Sequence, residues 1–513
     1  MTADYQYADH APPPWPHQAA FFERTRDMEY AALFLEQRTG KSRVVIDTAA
    51  YLYGAGHVDG LLILAPNGVS GNWLRESIPQ FMPHTIKHMD VLWRSGKMVS
   101  KANTAALAAL LAFDGLSVLS INYDALRLAA TKAYLAKFLR KRKLLIIADE
   151  SDDLGTPSAA RTRVAIAAGK WGKFRRILTG TPASETPFSL YSQTNFLKPG
   201  LLGFTSFLSF KHHHAKYEEE KGYNHNTGTE YDQICRDEDG KPVYQNLDEL
   251  AEKLGKFSVR ITRAECGASL PTYVPRRFDM ETSQRIAYNT LREQFRIELA
   301  QEGAVTAAMV LQRYTRLQQI TSGYVPLDRP PETCPACAGT DDLCPVCEGL
   351  GVVLPAPKLA TFHNSRLDAL SRELRGTAGQ TVIWTQFTHD ADHIIPMLAA
   401  MGRKAAAYNG STSPEARLSA KEALAEGRIS DLVAHPRAGG RGLDFSSART
   451  AIFYSHTFSS RLRLQAQDRI ANLNRKDPTT IVDLIANDTI DELIMDMHAG
   501  KATMQTAITC RII

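Results

Sequence analysis

Short apolar runs alternate with longer amphipathic segments in the first part of the chain. The runs lie at residues 31–35, 60–66, 116–121, 143–148 and 175–178. Each run is long enough for a buried β-strand, and helix-length segments separate them. Strands that alternate with helices form parallel, doubly wound sheets whose active residues lie at the carboxyl ends of the strands. The pattern therefore predicts an α/β lobe.

The same alternation returns in the last part of the chain, after a middle stretch in which it stops. Further strands are predicted at residues 382–384, 405–408, 431–435, 451–454 and 481–486. A helix is predicted over residues 358–374, and a long helical stretch over residues 281–320 of the middle part. We therefore expect a first lobe over 1–200, a helical insertion over 201–357 and a second lobe over 358–513.

The first apolar run leads directly into a sequence typical of a phosphate-binding loop. Residues 30–42 read YAALFLEQRTGKS, and an amphipathic segment follows them. Backbone N–H groups at a helix start, together with the helix dipole, attract phosphate groups. In this interpretation Gly40 lets the backbone approach closely, Lys41 reaches the β- and γ-phosphates of a bound nucleotide, and Ser42 binds Mg²⁺. TGKS alone fits a helix start with a solvated lysine equally well.

Two adjacent acids follow the apolar run at 143–148. A strand that ends in Asp149 and Glu150 places both carboxylates at the edge of the sheet. One carboxylate can hold Mg²⁺ through water, and the other can orient or deprotonate an attacking water molecule. An isolated acidic pair is more often a cap at a strand end. The position after TGKS, at the end of an apolar strand, favours the catalytic interpretation here.

Four of the seven cysteines lie within one short segment, CPACAGTDDLCPVC. Two Cys-x-x-Cys pairs, made of Cys334, Cys337, Cys344 and Cys347, can bring four thiolates into a tetrahedron around Zn²⁺. The segment is too small to fold by burial alone, so the metal would supply its folding energy. We expect a closed, structural site, and the sequence leaves open whether it contacts DNA or a partner.

Composition adds few constraints. The 513 residues carry a formal net charge of +5, which permits a nucleic-acid partner without demanding one. No apolar run approaches the ~18 residues of a membrane span, and the first residues lack the pattern of a signal peptide. Clustered cysteines suit a reducing compartment better than a disulfide framework. These features predict a soluble, cytoplasmic protein without a membrane partner.

The ordered motifs resemble those of superfamily 2 helicase-type ATPases, and their wording is similar to that of the Swi/Snf-like branch. The matching segments are GKS at 40–42, LILAPN at 62–67, INYDAL at 121–126, ADESD at 148–152, LTGTP at 178–182, WTQF at 384–387, RAGGRGLDF at 437–445 and QAQDRIANLNR at 465–475. The resemblance implies two RecA-like lobes that close on Mg-ATP, with the helical and zinc-knuckle insertion between them.

The resemblance also assigns roles to individual residues. It implies the cofactor-binding residues Gln18, which would read adenine, Gln37, Arg38, Thr39, Gly40, Lys41, Ser42, Gly442 and Asp444. It implies the catalytic residues Lys41, Asp149, Glu150, Gln465 and Arg469, with Ser42 and Asp149 on Mg²⁺. Two positions depart from the family pattern: Arg38 replaces a glycine of many members, and Asn472 replaces a second arginine. Arg475, one helical turn further, could substitute for that arginine.

These implications predict a DNA-dependent ATPase that translocates on, or remodels, double-stranded or branched DNA. The compact chain suits a bacterial or phage-type member. A strand-separating helicase and a non-hydrolysing DNA-binding clamp, the latter suggested by Asn472, stay open as alternatives. A third alternative makes the zinc knuckle the functional core and the lobes its scaffold.

Overall fold

A computed structural model describes most of the chain. The described residues are 5–67, 69–93, 101–183, 186–219, 222–224, 229–238, 242–301, 307–327, 330–338, 340, 344–347, 350–353, 358–438, 444–471, 475 and 477–500. They form two compact units. The first comprises Met1–Pro271, Arg437–Ser446 and Leu464–Thr479, and the second comprises Thr272–Pro436, Ser447–Arg463 and Thr480–Ile513.

The first unit is built on a seven-stranded parallel sheet with strand order β3-β4-β2-β5-β6-β1-β9. Its strands are β1 (Tyr30–Leu35), β2 (Gly60–Ala65), β3 (His88–Leu92), β4 (Leu116–Asn122), β5 (Leu144–Asp149), β6 (Phe174–Leu178) and β9 (Ser258–Ile261), and a separate hairpin is formed by β7 (Gly222–Asn224) and β8 (Thr229–Tyr231). Strand β5 lies between β2 and β6, so its acidic end is near the middle of the sheet.

Side chains of the strands alternate between two apolar cores, one on each face of the sheet. Along β2, for example, Leu62 and Leu64 enter one core, and Leu61 and Ile63 enter the other. The covering helices are α1 (Pro16–Thr25), α2 (Lys41–Gly54), α3 (Ser70–Asn72), α4 (Ile78–Phe81), α5 (Lys101–Ala112), α6 (Ala129–Lys141), α7 (Ala160–Gly169), α8 (Ser189–Leu197), α9 (Phe207–His214) and α10 (Leu247–Gly255), with single turns at Trp73–Ser77, Tyr123–Arg127 and Ser151–Leu154. Burial on both faces explains why these strands are continuous apolar runs.

The second unit contains a six-stranded parallel sheet with strand order β10-β19-β18-β15-β17-β16. Its strands are β10 (Thr272–Phe278), β15 (Thr381–Trp384), β16 (Ala405–Tyr408), β17 (Asp431–Ala434), β18 (Thr450–Phe453) and β19 (Thr480–Ala486), and two small antiparallel pairs are β11 (Tyr324–Leu327) with β14 (Lys358–Thr361) and β12 (Glu332–Thr333) with β13 (Val352–Val353). The prediction of two parallel-sheet lobes with a cysteine cluster in an insertion is confirmed.

The helices of this part of the chain agree with the sequence pattern except at one boundary. They are α11 (Thr282–Gln301), α12 (Ala307–Thr321), α13 (Ser365–Gly376), α14 (Thr388–Ala400), α15 (Pro414–Ala425), α16 (Ser460–Asp468) and α17 (Ile490–His498). The helix predicted from residue 358 begins only at Ser365, because Lys358–Thr361 pairs with β11 and the side chain of Asn364 caps the helix by accepting from the N–H of Leu367.

A buried arginine joins several elements of the second unit. The Arg366 guanidinium pairs with the Asp491 carboxylate at 2.6 Å and donates to the carbonyl oxygens of Thr321 (3.2 Å), Tyr454 (2.5 Å) and Leu484 (3.1 Å). Both charged side chains are almost wholly excluded from water. A buried charge is tolerated only when it is paired and hydrogen-bonded, and this arrangement meets that requirement.

No helix among the described residues combines the length and the apolar character needed to cross a membrane.

Candidate functional site

The phosphate-loop sequence lies between β1 and the start of α2, as its pattern predicts. Gly40 is the residue before the first turn of α2 and has φ +87°, a conformation that glycine adopts without strain. A Cβ atom at Gly40 would lie 1.8 Å from Nε2 of Gln18, so no larger residue fits without displacing Gln18. The side chain of Gln18 is buried, and its Oε1 accepts from the N–H of Trp15 at 2.8 Å.

Lys41 is the first residue of α2, and its ammonium group folds back over the loop. Nζ donates to the carbonyl oxygens of Leu35 at 2.8 Å and Glu36 at 3.3 Å. The hydroxyl of buried Thr39 also donates to the Glu36 carbonyl at 2.8 Å. Ser42, the second residue of α2, is half-buried. The loop thus presents an ammonium group, a hydroxyl and a helix start within one turn of chain, a donor set that suits a Mg-phosphate group.

Asp149 ends β5, and both of its carboxylate oxygens are already oriented by the protein. Oδ2 accepts from Nε1 of Trp73 at 2.8 Å, and Oδ1 accepts from the N–H of Glu150 at 2.9 Å. Burial and the neighbouring Glu150 raise the pKa of Asp149 above its ordinary value, although Trp73 and Lys41 act in the opposite direction. A cation next to this carboxylate would lower its pKa.

Glu150 links the acidic strand end to the phosphate loop. Its Oε1 accepts from Nε2 of Gln37 at 2.5 Å, and its backbone is left-handed with φ +48°. The loop after β6 lies close by: a Cβ at Gly180 would approach the N of Gln37 to 3.2 Å and the Cα of Glu36 to 3.3 Å. The carboxyl ends of the neighbouring strands β1, β5 and β6 therefore lie close together on the same side of the first sheet, as expected for parallel strands.

Arg38, the third residue after β1, reaches two segments that are distant in sequence but belong to the same unit. Its Nη1 pairs with the Asp444 carboxylate at 2.9 Å. Its Nε donates to the Asp468 carbonyl at 2.7 Å, and its Nη2 donates to the Arg469 carbonyl at 2.6 Å. Partial desolvation acts to raise the pKa of the half-exposed Asp444 carboxylate, but Arg38 and hydrogen bonds from Ser446 lower it overall.

Arg263 forms a second link between the same parts of the unit. Its Nη1 pairs with the Asp468 carboxylate at 2.6 Å, and its backbone N–H donates to the Glu36 carboxylate at 2.9 Å. Burial raises the pKa of Asp468 to about 6, although Arg263, Lys41 and Arg38 favour its charged form. Asp468 is therefore a largely buried carboxylate within the electrostatic reach of the phosphate-loop lysine.

The remaining predicted residues lie in the segments that Arg38 contacts. Gln465 and Arg469 are buried, and the Arg469 carbonyl also accepts from the N–H of Phe445 at 2.9 Å. The guanidinium of Arg475 donates to the Ser446 carbonyl. Gly442 and Asn472 lie outside the described residues.

The four clustered cysteines come together as the sequence predicts. Their sulfur atoms all lie within 4.8 Å of one another, with Cys334–Cys344 at 3.9 Å and Cys337–Cys347 at 3.6 Å. Zn–S bonds of about 2.3 Å in a tetrahedron place neighbouring sulfurs ~3.8 Å apart, so the cluster fits a zinc ion. The antiparallel pair β12–β13 closes the segment behind the cluster.

Two contributors to this site carry no local signal in the sequence: Trp73, which donates to the Asp149 carboxylate, and Asp468, which pairs with Arg263. Arg263 itself lies in a segment, residues 257–271, whose sequence resembles that of the family, but the sequence does not indicate its partners. Asp468 is adjacent to Arg469 in the QAQDRIANLNR segment, yet its burial becomes evident only from the fold. All the contacts described here, apart from the cysteine cluster, lie within the first unit.

The comparisons with known proteins agree with this geometry. A SNF2-related domain matches residues 23–323, and a helicase conserved C-terminal domain matches residues 365–474. The chromodomain-helicase-DNA-binding protein 1-like of Danio rerio is 23% identical over 484 residues, which cover 92% of this chain and 41% of that protein. The chromatin-remodeling ATPase INO80 of Cryptococcus neoformans is 30% identical over 158 residues, which cover 31% of this chain and 9% of that protein. This chain spans less than half the length of either relative.

A solved structure supports the fold. The helicase domain of Pyrococcus furiosus Hef superposes with a TM-score of 0.51 and 15% identity, covering 94% of this chain and 97% of that chain. The similarity at this level of identity concerns the fold alone. The SNF2-related match extends over more than half of the 513 residues and includes the phosphate loop and the Asp149–Glu150 pair. The chain therefore belongs to the SNF2-related family, within the Swi/Snf-like branch of the superfamily 2 helicase-type ATPases.

Proposed function

We propose that this protein is a DNA-dependent ATPase that uses ATP hydrolysis to translocate on, or remodel, duplex DNA. The observation that carries the proposal is the meeting of three groups at one sheet edge: the Lys41 loop, the oriented carboxylates of Asp149 and Glu150, and the main chain of Arg469. Phosphoryl transfer needs positioned cations and an oriented nucleophile more than covalent chemistry, and these groups supply both.

In this proposal each residue has a defined part. Lys41 binds the β- and γ-phosphates, and Ser42 and Asp149 hold Mg²⁺, which would neutralise charge on the phosphates. Glu150, kept in place by Gln37, orients or deprotonates the attacking water molecule. Gln465 and Arg469 add positive charge and hydrogen bonds at the γ-phosphate. Gln18 recognises adenine from beside Gly40.

The proposal is tested by steady-state ATP turnover with and without duplex DNA. We expect DNA to stimulate turnover, and Lys41→Ala to lower kcat by about 100-fold or more, since a phosphate-binding cation is lost. Lys256→Ala, which alters an exposed lysine in the same unit, is the matched control and should behave as wild type. Absence of turnover in the wild type, or unchanged turnover in Lys41→Ala, would contradict the proposal.

A non-hydrolysing DNA-binding protein is the second candidate, because Asn472 replaces an arginine of the family pattern and the Arg475 guanidinium contacts the Ser446 carbonyl. Such a protein would bind duplex DNA without turnover. A helicase is separated from a translocase by strand displacement on a labelled forked duplex. In every case phosphate contacts should dominate DNA affinity, which should therefore fall steeply with salt.

We propose that Cys334, Cys337, Cys344 and Cys347 bind one structural Zn²⁺. Elemental analysis of the purified protein should find about one zinc per chain, and Cys344→Ser should lose it, whereas Cys235→Ser should retain it. If the Cys344→Ser chain keeps its zinc, the assignment is wrong. If it loses zinc and DNA binding but keeps DNA-independent ATP turnover, the knuckle also contributes to DNA recognition.

We infer a bacterial or phage-type member with a cytoplasmic location. We also infer an organisation into a lobe over 1–200, an insertion over 201–357 and a lobe over 358–513.

A further inference from the structure

The phosphate loop contains an arginine in a backbone conformation that favours glycine. Arg38 has φ +68°, and the family pattern has glycine at this position in many members. A non-glycine residue in the left-handed region is strained, and such strain persists where the surroundings hold the residue in place. The contacts of the Arg38 side chain are therefore expected to hold it in this conformation.

Each nitrogen of the Arg38 guanidinium has a partner outside the loop. Nη1 contacts the carboxylate of Asp444 at 2.9 Å, Nε the carbonyl of Asp468 at 2.7 Å and Nη2 the carbonyl of Arg469 at 2.6 Å. We call these three contacts the Arg38 bridge. The residues that it joins are separated by more than 400 positions in the sequence but lie in one unit.

The two carbonyl groups of the bridge are suited to a cation. They lie at the end of α16 (Ser460–Asp468), where the last carbonyls of a helix lack partners within the helix. The helix dipole also favours positive charge at this end. Since the N–H of Phe445 donates to the same Arg469 carbonyl, the segment at Asp444 and the end of α16 are held together as well as held to the loop.

We propose that the Arg38 bridge couples nucleotide binding at the phosphate loop to the placement of Arg469 and Asp444. Arg38 is then a positioning residue: its guanidinium faces the two segments, and its backbone belongs to the loop that would hold the phosphates. A glycine would preserve the loop conformation and remove the coupling. The catalytic consequence rests on the proposed ATPase function, whereas the coupling itself rests on the contacts alone.

The coupling is tested first without nucleotide, by hydrogen exchange on the full chain. In Arg38→Gly we expect the amide of Phe445 and the amides of residues 465–471 to exchange about 10-fold faster or more. The amides of β2 and β5 should exchange at the wild-type rate, because the Arg38 bridge does not contact these strands. Arg38→Lys has one donor group in place of three, so its exchange rates should lie between those of wild type and those of Arg38→Gly. Arg24→Ala, which alters an exposed arginine of the same unit, is the control. Unchanged exchange in Arg38→Gly overturns the proposal.

The second measurement separates positioning from binding. Arg38→Gly should lower kcat for ATP about 10- to 100-fold with KM within about 3-fold of wild type, since misplaced catalytic groups affect the transition state more than the bound substrate. Combined with Asp444→Asn, the loss should be less than the product of the two single losses. A raised KM with unchanged kcat would make Arg38 a nucleotide-binding residue and overturn the proposal. Absence of turnover in the wild type would remove the proposed function, and the exchange result would still decide the bridge.

Discussion

Arg366 in the second unit and Arg38 in the first unit both pair with an aspartate, but their surroundings differ. Arg366 and its partner Asp491 are almost wholly buried, and helices and strands of the core supply the remaining partners. Arg38 is partly exposed, its partner Asp444 is more than half exposed, and its backbone is strained. The two pairs are alike in chemistry and unlike in what their loss would do.

Burial accounts for the difference. Removing one member of a buried pair leaves an uncompensated charge in the core, which is strongly destabilising. An exposed pair contributes little, because water replaces the lost partner. We therefore expect Arg366 to determine stability and Arg38 to determine the arrangement of the site. Three changes, in order of decreasing effect, test this contrast.

Replacing Arg366 by alanine should have the largest effect, lowering the free energy of unfolding of the second unit by about 3–5 kcal/mol. The measurement is hydrogen exchange of β18 and β19 under native conditions, which reports the opening of that unit. Arg372→Ala, on the exposed face of the same helix, should change the free energy of unfolding of the second unit by less than about 0.5 kcal/mol. If Arg366→Ala lowers this free energy by less than about 1 kcal/mol, the buried pair does not stabilise the protein more than the exposed Arg38 pair does.

Replacing Asp390 by asparagine should have an intermediate, pH-dependent effect. Burial raises the pKa of Asp390 to about 7, although Ser455 and Arg366 act to lower it. Because the folded chain keeps this proton to a higher pH than the unfolded chain does, the stabilisation is present below about pH 4 and is lost as pH rises toward 7. Wild type should lose roughly 3 kcal/mol relative to Asp390→Asn across this range.

The measurement for Asp390 is the urea midpoint of the second unit, followed from pH 4.5 to pH 7.5 in both chains. Asp392→Asn, an exposed position on the same helix, is the control and should retain the wild-type slope. Parallel slopes in wild type and Asp390→Asn would mean that Asp390 is ionised in the folded chain throughout.

Replacing Arg38 by glycine should have the smallest effect on stability, less than about 1 kcal/mol. The exposed ion pair contributes about 0–1 kcal/mol, and relief of the left-handed strain offsets its loss. Urea unfolding of the first unit measures this, with Arg24→Ala as the reference. A loss above about 3 kcal/mol would place Arg38 with Arg366 and would assign a structural role to both.

The sequence was informative where function depends on local pattern. The apolar strands, the loop around Lys41 and the acidic end of β5 all depend on neighbours within a few residues, and the structure shows them where they were predicted. Strands β3, β9 and β10 were not predicted, because His88–Leu92, Ser258–Ile261 and Thr272–Phe278 mix polar and apolar residues at the sheets' edges. Edge strands bury less surface, so they need a weaker apolar pattern.

The contacts that organise the candidate site could not be predicted in this way. The partners of Arg38 lie more than 400 residues along the chain, and two of them are main-chain carbonyls that have no residue signature. The burial of Asp149 against Trp73 likewise depends on how a turn packs on β5. Composition and periodicity do not indicate such long-range, main-chain contacts.

The make-up of the first unit has a practical consequence for anyone who wishes to produce it separately. Its residues come from three stretches of polypeptide, and segments of the second unit separate each stretch from the next. A fragment that stops at Pro271 would leave the guanidinium groups of Arg38 and Arg263 without the carboxylates of Asp444 and Asp468 with which they now pair. Dissection of this protein at a single cut would therefore yield an incomplete candidate site, and a circular or split-and-tethered design would be needed to restore it.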